Sequence, residues 1–106
     1  MVLHITSEDF QEKVLSSSKP VLVDFYADWC VPCKKMSPIV DAVAEEVGSS
    51  AVFCKINVDE NAEVSERYSV MSIPTLILFQ NGKEADRIMG VQAKDTLKHF
   101  VQSYTN

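Results

Sequence analysis

The sequence offers little to a membrane or to nucleic acid. Its longest apolar runs fall far short of a bilayer-spanning helix. Basic residues are few: 10 lysines and arginines stand against 15 aspartates and glutamates, for a net charge of −5. That balance suits a soluble domain and supplies no basic stripe for a general affinity to nucleic acid. Cysteine is scarce, and three is an odd count, which argues against the disulfide framework of a small secreted chain. The N-terminus, Met1-Val2-Leu3-His4-Ile5-Thr6, lacks a basic region, a long apolar core and a small-residue cleavage site. Met1 therefore reads as a genuine start, and a reducing cytoplasm is the expected compartment. Internal repeats and low-complexity tracts are absent from the sequence. What is present is ordinary for a globular protein: 106 residues, 46% of them hydrophobic, predict one domain over 1–106 with no room for a second core.

The informative stretch is Asp28-Trp29-Cys30-Val31-Pro32-Cys33-Lys34-Lys35. Before it, Val21-Leu22-Val23-Asp24-Phe25-Tyr26-Ala27 is almost wholly apolar and rich in β-branched and aromatic residues, which predicts a strand buried on both faces. After it, Met36, Ile39, Val40, Val43 and Val47 recur at helical spacing and predict an amphipathic helix. Two cysteines thus fall where a buried strand ends and a helix begins.

The rest of the chain supplies a frame for that junction. Val2 to Ile5 reads as a short strand. Thr6 and Asp9 match a capping box, and Phe10, Val14 and Leu15 give the following helix one apolar face. Pro20 ends the break after that helix and opens the next strand. Pro38 lies inside the long helix, where it removes a backbone hydrogen bond and predicts a kink; Gly48 reads as the helix cap. Ala51 to Val58 predicts a strand, Asp59 to Tyr68 a short helix with Val64 and Tyr68 inward, and Thr75 to Phe79 a further strand. Asn81-Gly82 is a hairpin signal, because both residues tolerate positive φ, so Lys83 to Met89 is the antiparallel partner. A last helix runs from about Ala93 to Tyr104, with Leu97, Phe100 and Val101 apolar. The order β-α-β-α-β-α-β-β-α predicts an α/β fold with parallel pairing, helices on both sheet faces and a closing antiparallel hairpin.

Cysteines separated by two residues can close a small disulfide ring, and at a helix start they are chemically unequal. Cys30 sits at the N-terminus, where unpaired amides and the positive end of the helix dipole favour a thiolate. Cys33 lies one turn in and is expected to be the more buried. Lys34 and Lys35 add positive charge, or are simply a solvated helix face. The chemistry predicted is thiol–disulfide exchange, with Cys30 attacking a substrate disulfide and Cys33 resolving the mixed disulfide. Two plainer readings compete. A pair of cysteines can be half of a zinc site, but structural zinc usually takes four ligands, and Cys54, His4 and His99 are scattered over separate elements. The pair can also be unreactive core cysteines.

The motif in its βαβ setting resembles the thioredoxin family. The resemblance covers essentially the whole chain: Val23-Asp24-Phe25-Tyr26-Ala27, Trp29-Cys30-Val31-Pro32-Cys33-Lys34, Pro38, Lys55-Ile56-Asn57-Val58-Asp59, Ile73-Pro74-Thr75, Phe79-Gln80-Asn81-Gly82 and Gly90. It implies a five-stranded mixed sheet flanked by four helices. It implies a general protein-disulfide reductase that acts on disulfide-containing proteins and is recharged by a thioredoxin reductase, with no metal, flavin or other bound cofactor. A monomer is the simplest expectation. Cys30 matches the family's attacking cysteine, Cys33 its resolving one, Asp24 its buried acid and Pro74 its cis-proline. One position departs: the family's usual glycine between Trp-Cys and Pro-Cys is Val31. Val31 and Pro32 shape the backbone around the thiolate, and the bulk of Val31 is expected to shift the reduction potential or narrow partner choice. Two rivals share the scaffold: a thiol oxidase or glutathione-linked relative, and a binding module whose cysteines only gate contact.

Other residues carry paired readings. Asp24, a carboxylate in a buried strand, should have a raised pKa and exchange protons near neutrality, a water bridging it to Cys33; otherwise it is a satisfied buried polar group. Lys55 is either its electrostatic neighbour or an exposed strand lysine. The physics of the X-Pro bond alone favours trans at Pro74, and the resemblance reverses that. Exposed backbone at Ile73 can then pair with an extended substrate strand. Trp29 is a contact platform or loop packing. Gly90 permits close approach at the active surface or ends a strand. Cys54 alternates with Val52 and Ile56 as a small core residue. His4 and His99 are assigned no catalytic role.

Overall fold

The computed structural model describes residues 1–105, and its middle is the strand expected to be buried on both sides. Along the described chain run β1 (Val2–His4), α1 (Gln11–Leu15), β2 (Val21–Tyr26), α2 (Val31–Val47), β3 (Val52–Asn57), α3 (Ala62–Arg67), β4 (Thr75–Gln80), β5 (Lys83–Met89) and α4 (Lys94–Gln102). The strands lie in the order β1-β3-β2-β4-β5. β3 is parallel to β1 and β2, whereas β4 is antiparallel to β2 and β5. This is the five-stranded mixed sheet with four helices that the resemblance implies.

Side-chain alternation along the strands divides the core in two. Val21, Val23 and Phe25 point to one face with Cys54, Ile56, Ile77 and Phe79, where Phe10, Val14 and Val64 cover them. Phe10, Tyr68 and Phe79 meet there with ring centroids 5.0 to 5.6 Å apart, contacts worth about 0.5–1.5 kcal/mol each beyond burial. Leu22, Phe53, Leu76 and Leu78 point to the other face, against Met36, Val40 and Val43 of α2 and Leu97 and Val101 of α4. Asp24 shares that second face with Leu22.

Local chemistry sets most element ends. Gly48, with φ +69°, caps α2 and donates its N–H to Ala44 O. Asn81 and Gly82 take φ of +56° and +79°, as the hairpin requires. α2 continues through Pro38. The first helix differs from expectation. Asp9 Oδ1 accepts from Thr6 N–H at 2.6 Å, but the Thr6 hydroxyl also donates to Asp9, at 3.2 Å, instead of accepting from the helix. With only half the box closed, the helix starts later and is wound as a π turn, Ser16 N–H reaching Gln11 O at 2.9 Å.

The topology brings three chain ends together. β2 ends where the antiparallel β4 begins, Phe25 facing Thr75, and α2 starts just beyond β2. Cys30, Ala27 and Ile73 meet at that edge.

Candidate active site

Ala27, Asp28, Trp29 and Cys30 turn the chain from β2 into α2. Cys30 N–H donates to Ala27 O at 3.2 Å, and Lys34 N–H to Cys30 O at 3.2 Å. Cys30 is the N-cap of α2 in extended geometry (φ −87°, ψ 109°), and its sulfur accepts from Cys33 N–H at 3.2 Å. A cysteine thus occupies the position usually given to serine or aspartate, and a free amide of the helix already points at its sulfur. Pro32 falls in the first turn, where its missing N–H breaks no helical bond.

Cys30 and Cys33 are joined in a disulfide, with Cα atoms 5.2 Å apart. Cys33 is not the more enclosed of the two: Cys30 is 3% and Cys33 4% exposed. The bond holds both sulfurs in one small apolar cluster with Ala27, bordered by Tyr26, Val58 and Ile73. Cys30 Sγ lies 3.8 Å from Ile73 O; no proton remains on a disulfide sulfur, so this is a contact only. Ile73-Pro74 is cis. Pro74 is buried, and its carbonyl accepts Gly90 N–H at 2.9 Å. Gly90 holds φ +82°, and a Cβ there would meet nothing within 4 Å. Within the chain itself the positive φ, not crowding, calls for glycine at this position.

Asp24 is 1% exposed and its Oδ1 has no hydrogen-bond partner. Burial pushes its carboxyl up from 3.8 to about 6; Lys55 opposes that rise and Asp41 adds to it. Lys55 stands opposite Asp24 in the β2–β3 register. Its ammonium donates to Ser37 Oγ at 3.2 Å and sits 4.8 Å from the centre of the Tyr26 ring. A cleft of about 190 Å³ runs between Asp24 and Cys33, with Ser37, Lys55, Tyr26 and Asp28 along its walls, ample room for water. A larger hollow of about 420 Å³ lies at the opposite end of α2, around Gly48, away from the cysteine pair.

The other predicted residues fall as follows. The Trp29 ring is 69% exposed, so it does not pack the loop; its Nε1 donates to Asp59 Oδ2 at 2.8 Å. Val31 is 61% exposed on the rim, and Pro32, Lys34 and Lys35 are also exposed. Cys54 is buried in the opposite face of the sheet, and that burial pushes its thiol up to about 11. His4 and His99 are exposed and are not gathered with the cysteines. Among the described residues no three His, Cys, Asp or Glu side chains cluster as a metal site.

Sequence reasoning passed over Ser37, although it lies four residues after Cys33 and so on the same helix face. It also passed over Met71, Met89 and Val91, exposed apolar side chains on the segments flanking Pro74 and Gly90. The bond between Asp59 and Trp29 had no signal, since it joins residues 30 positions apart that only the fold brings together.

Comparison with known proteins agrees with this geometry. The sequence model of the family described as Thioredoxin matches residues 1–103. The chain is 43% identical over 103 residues to thioredoxin of Porphyra purpurea, covering 97% of this chain and 96% of that one. It is 39% identical over 103 residues to thioredoxin of Rickettsia bellii, covering 97% and 98%. Against thioredoxin 1 of Synechococcus elongatus it is 40% identical over 100 residues, covering 94% of each. With the family model matching nearly the whole chain and relatives of nearly its own length about 40% identical to it, the chain belongs to the thioredoxin family, the protein-disulfide oxidoreductases.

Proposed function

We propose that this chain, acting as one domain over residues 1–106, reduces protein disulfides through Cys30 and Cys33 and is re-reduced by a thioredoxin reductase. The observation that carries the reading is the Cys30–Cys33 disulfide at the start of α2, with Cys33 N–H aimed at Cys30 Sγ. It represents the oxidised end of the cycle. In the reduced protein, that amide and the helix end stabilise negative charge on Cys30. The Cys30 thiolate attacks one sulfur of a substrate disulfide; a Cys30–substrate bond forms, the substrate bond breaks, and the leaving thiolate takes a proton. Cys33 then loses its proton and attacks Cys30 Sγ. The second substrate thiolate leaves, and two electrons have passed to the substrate. The reductase returns two electrons and two protons.

Asp24 is assigned the proton traffic at Cys33. A carboxyl that titrates near neutrality, linked to Cys33 by a cleft wide enough for water, suits an acceptor and donor at that step. Ile73 is assigned substrate pairing: its backbone lies beside Cys30 Sγ and outside the sheet ladder, ready for an extended strand. Pro74 and Gly90 hold that segment in shape, and exposed Trp29 forms the rim. Val31, Pro32 and Lys55 tune the site. A cytoplasmic monomer fits the surface charge and the odd cysteine count. Among the described residues no helix is long and apolar enough to cross a membrane.

Dithiothreitol-driven reduction of insulin tests the reading. Wild type should accelerate precipitation of the insulin chains and Cys30→Ser should not. Coupling the same assay to NADPH and a thioredoxin reductase tests the partner, and sedimentation equilibrium tests the monomer. Binding of partners by the reduced protein without turnover would instead identify a contact module.

A further inference from the structure

Asp24 and Lys55 are partners in the sheet but not in an ion pair. They face each other across β2 and β3 on the same side, and adjacent strands lie only about 4.8 Å apart. A lysine so placed has a buried carboxylate within its reach. Its Nζ goes elsewhere, to Ser37 Oγ at 3.2 Å and over the Tyr26 ring at 4.8 Å. Asp24 Oδ1 is left buried and without a partner.

We propose that Ser37 is a positioning residue: its hydroxyl anchors the Lys55 ammonium on the α2 wall of the cleft, so that Asp24 keeps a carboxyl free of a direct ion pair. Ser37 is suited to this because it stands one helical turn beyond Cys33 and lines the same cleft. It therefore ties the helix that carries Cys33 to the strand that carries Lys55. Release of the anchor would let the ammonium swing to the carboxylate, favour the charged form and leave the acid a poorer carrier of protons. No other cation on the surrounding elements replaces Lys55 in direct contact with Asp24. α2 contributes Asp41 and, at the cleft mouth, Lys34; the β2–α2 turn contributes Asp28; β2 itself contributes Tyr26; β4 presents Leu76 and Leu78. The functional consequence rests on the proton role proposed for Asp24; the anchoring itself does not.

The experiment uses the full chain with its disulfide formed and follows the Asp24 carboxyl carbon by NMR across pH. Ser37→Ala, which favours the helix and so folds, should move the Asp24 midpoint down by roughly 1 pH unit, the low end of what an opposite charge in contact produces. Ser37→Thr keeps the hydroxyl and should keep the wild-type midpoint. Lys55→Gln should raise the midpoint, and adding Ser37→Ala to it should do nothing more, since Ser37 acts only through the ammonium. An unchanged or higher midpoint in Ser37→Ala overturns the proposal, as does an equal downward shift in the Lys55→Gln background. The pH profile of insulin reduction separates the two readings. A midpoint that moves while the profile stays put supports the anchor and removes Asp24 from the proton step.

Discussion

Two buried titratable groups stand one position apart in this sheet and behave differently. Cys54 pairs in register with Val23, and Lys55, its neighbour in sequence, pairs with Asp24. Cys54 and Asp24 are each 1% exposed, and burial raises both pKa values. Cys54 points into the aromatic face, among Phe10, Phe25 and Phe79, and rises to about 11. Lys13 opposes the rise, but burial and Asp9 outweigh it, so the thiol stays in its neutral form at working pH and serves as packing. Asp24 points to the other face, where a lysine opposes the rise and a cleft leads to Cys33, and it stops at about 6. Burial alone thus does not make a reactive group. What matters is whether a counter-charge and a path to the reacting atom bring the titration back into the working range.

The largest effect that sharpens this comparison concerns the three cysteines. Cys30→Ser should reduce insulin turnover to the rate of dithiothreitol alone, while Cys54→Ser leaves turnover at the wild-type level. Loss of turnover in Cys54→Ser would mean that the buried thiol is not mere packing.

Next in size is the pH dependence of stability. The folded pKa of Asp24 lies above its ordinary 3.8, so between 3.8 and about 6 the folded chain holds the proton more tightly than the unfolded chain. Stability from this group is therefore full below 3.8 and lost as pH rises through about 6. The difference corresponds to about 3 kcal/mol. Asp24→Asn removes the titration, so the oxidised variant should be more stable than wild type by about 3 kcal/mol near pH 8, with the advantage vanishing at acid pH. Urea unfolding at several pH values measures it, and a pH-independent advantage would assign the gain to packing instead of charge. On the other face the sign reverses. Cys54→Ser puts a hydroxyl into the aromatic core and should lose about 1–3 kcal/mol at every pH below the titration of the thiol.

The sequence made the sheet legible because the apolar runs and turn residues agree with one another. Val21–Tyr26 is buried as its composition requires, and Asn81-Gly82 closes the hairpin in the conformation those residues favour. Helix α1 was less legible: Thr6 and Asp9 carry the letters of a capping box, but which hydroxyl donates and which accepts is settled only by the fold. The cysteine pair at a strand-to-helix junction announced the chemistry. The relative burial of the pair did not follow, because a disulfide encloses both sulfurs together. For Lys55 the sequence left two readings open, a neighbour of Asp24 or an exposed strand lysine, and the β2–β3 register is what places it opposite Asp24. That its ammonium binds Ser37 was not legible, since a lysine stem reaches several partners and only the placement of α2 selects one. Long-range pairs such as Trp29 with Asp59 leave no periodic trace.

The smallest predicted effect separates the rim of the site from its interior. Val31, at the position where the resemblance implies glycine, is 61% exposed and follows Cys30 on the rim that also carries Trp29, itself 69% exposed. Its side chain makes no contact with the Asp24 cleft, whose walls are Tyr26, Cys33, Ser37 and Lys55 among others. Its influence should therefore fall on how a substrate approaches Cys30, with the proton step unaffected. Val31→Gly should raise kcat/KM for a folded protein disulfide several-fold, an effect below the tenfold that 1.4 kcal/mol would give. A small disulfide such as dithiobisnitrobenzoate, which needs no room on the rim, should change less than about twofold. Equal gains for both substrates would move Val31 from the docking surface to the electronics of the thiolate, and an equilibrium titration of the reduction potential would then show the difference. No change in either substrate, in the potential or in reductase turnover would make Val31 a neutral replacement, and the distinction between rim and interior would rest on Trp29 alone.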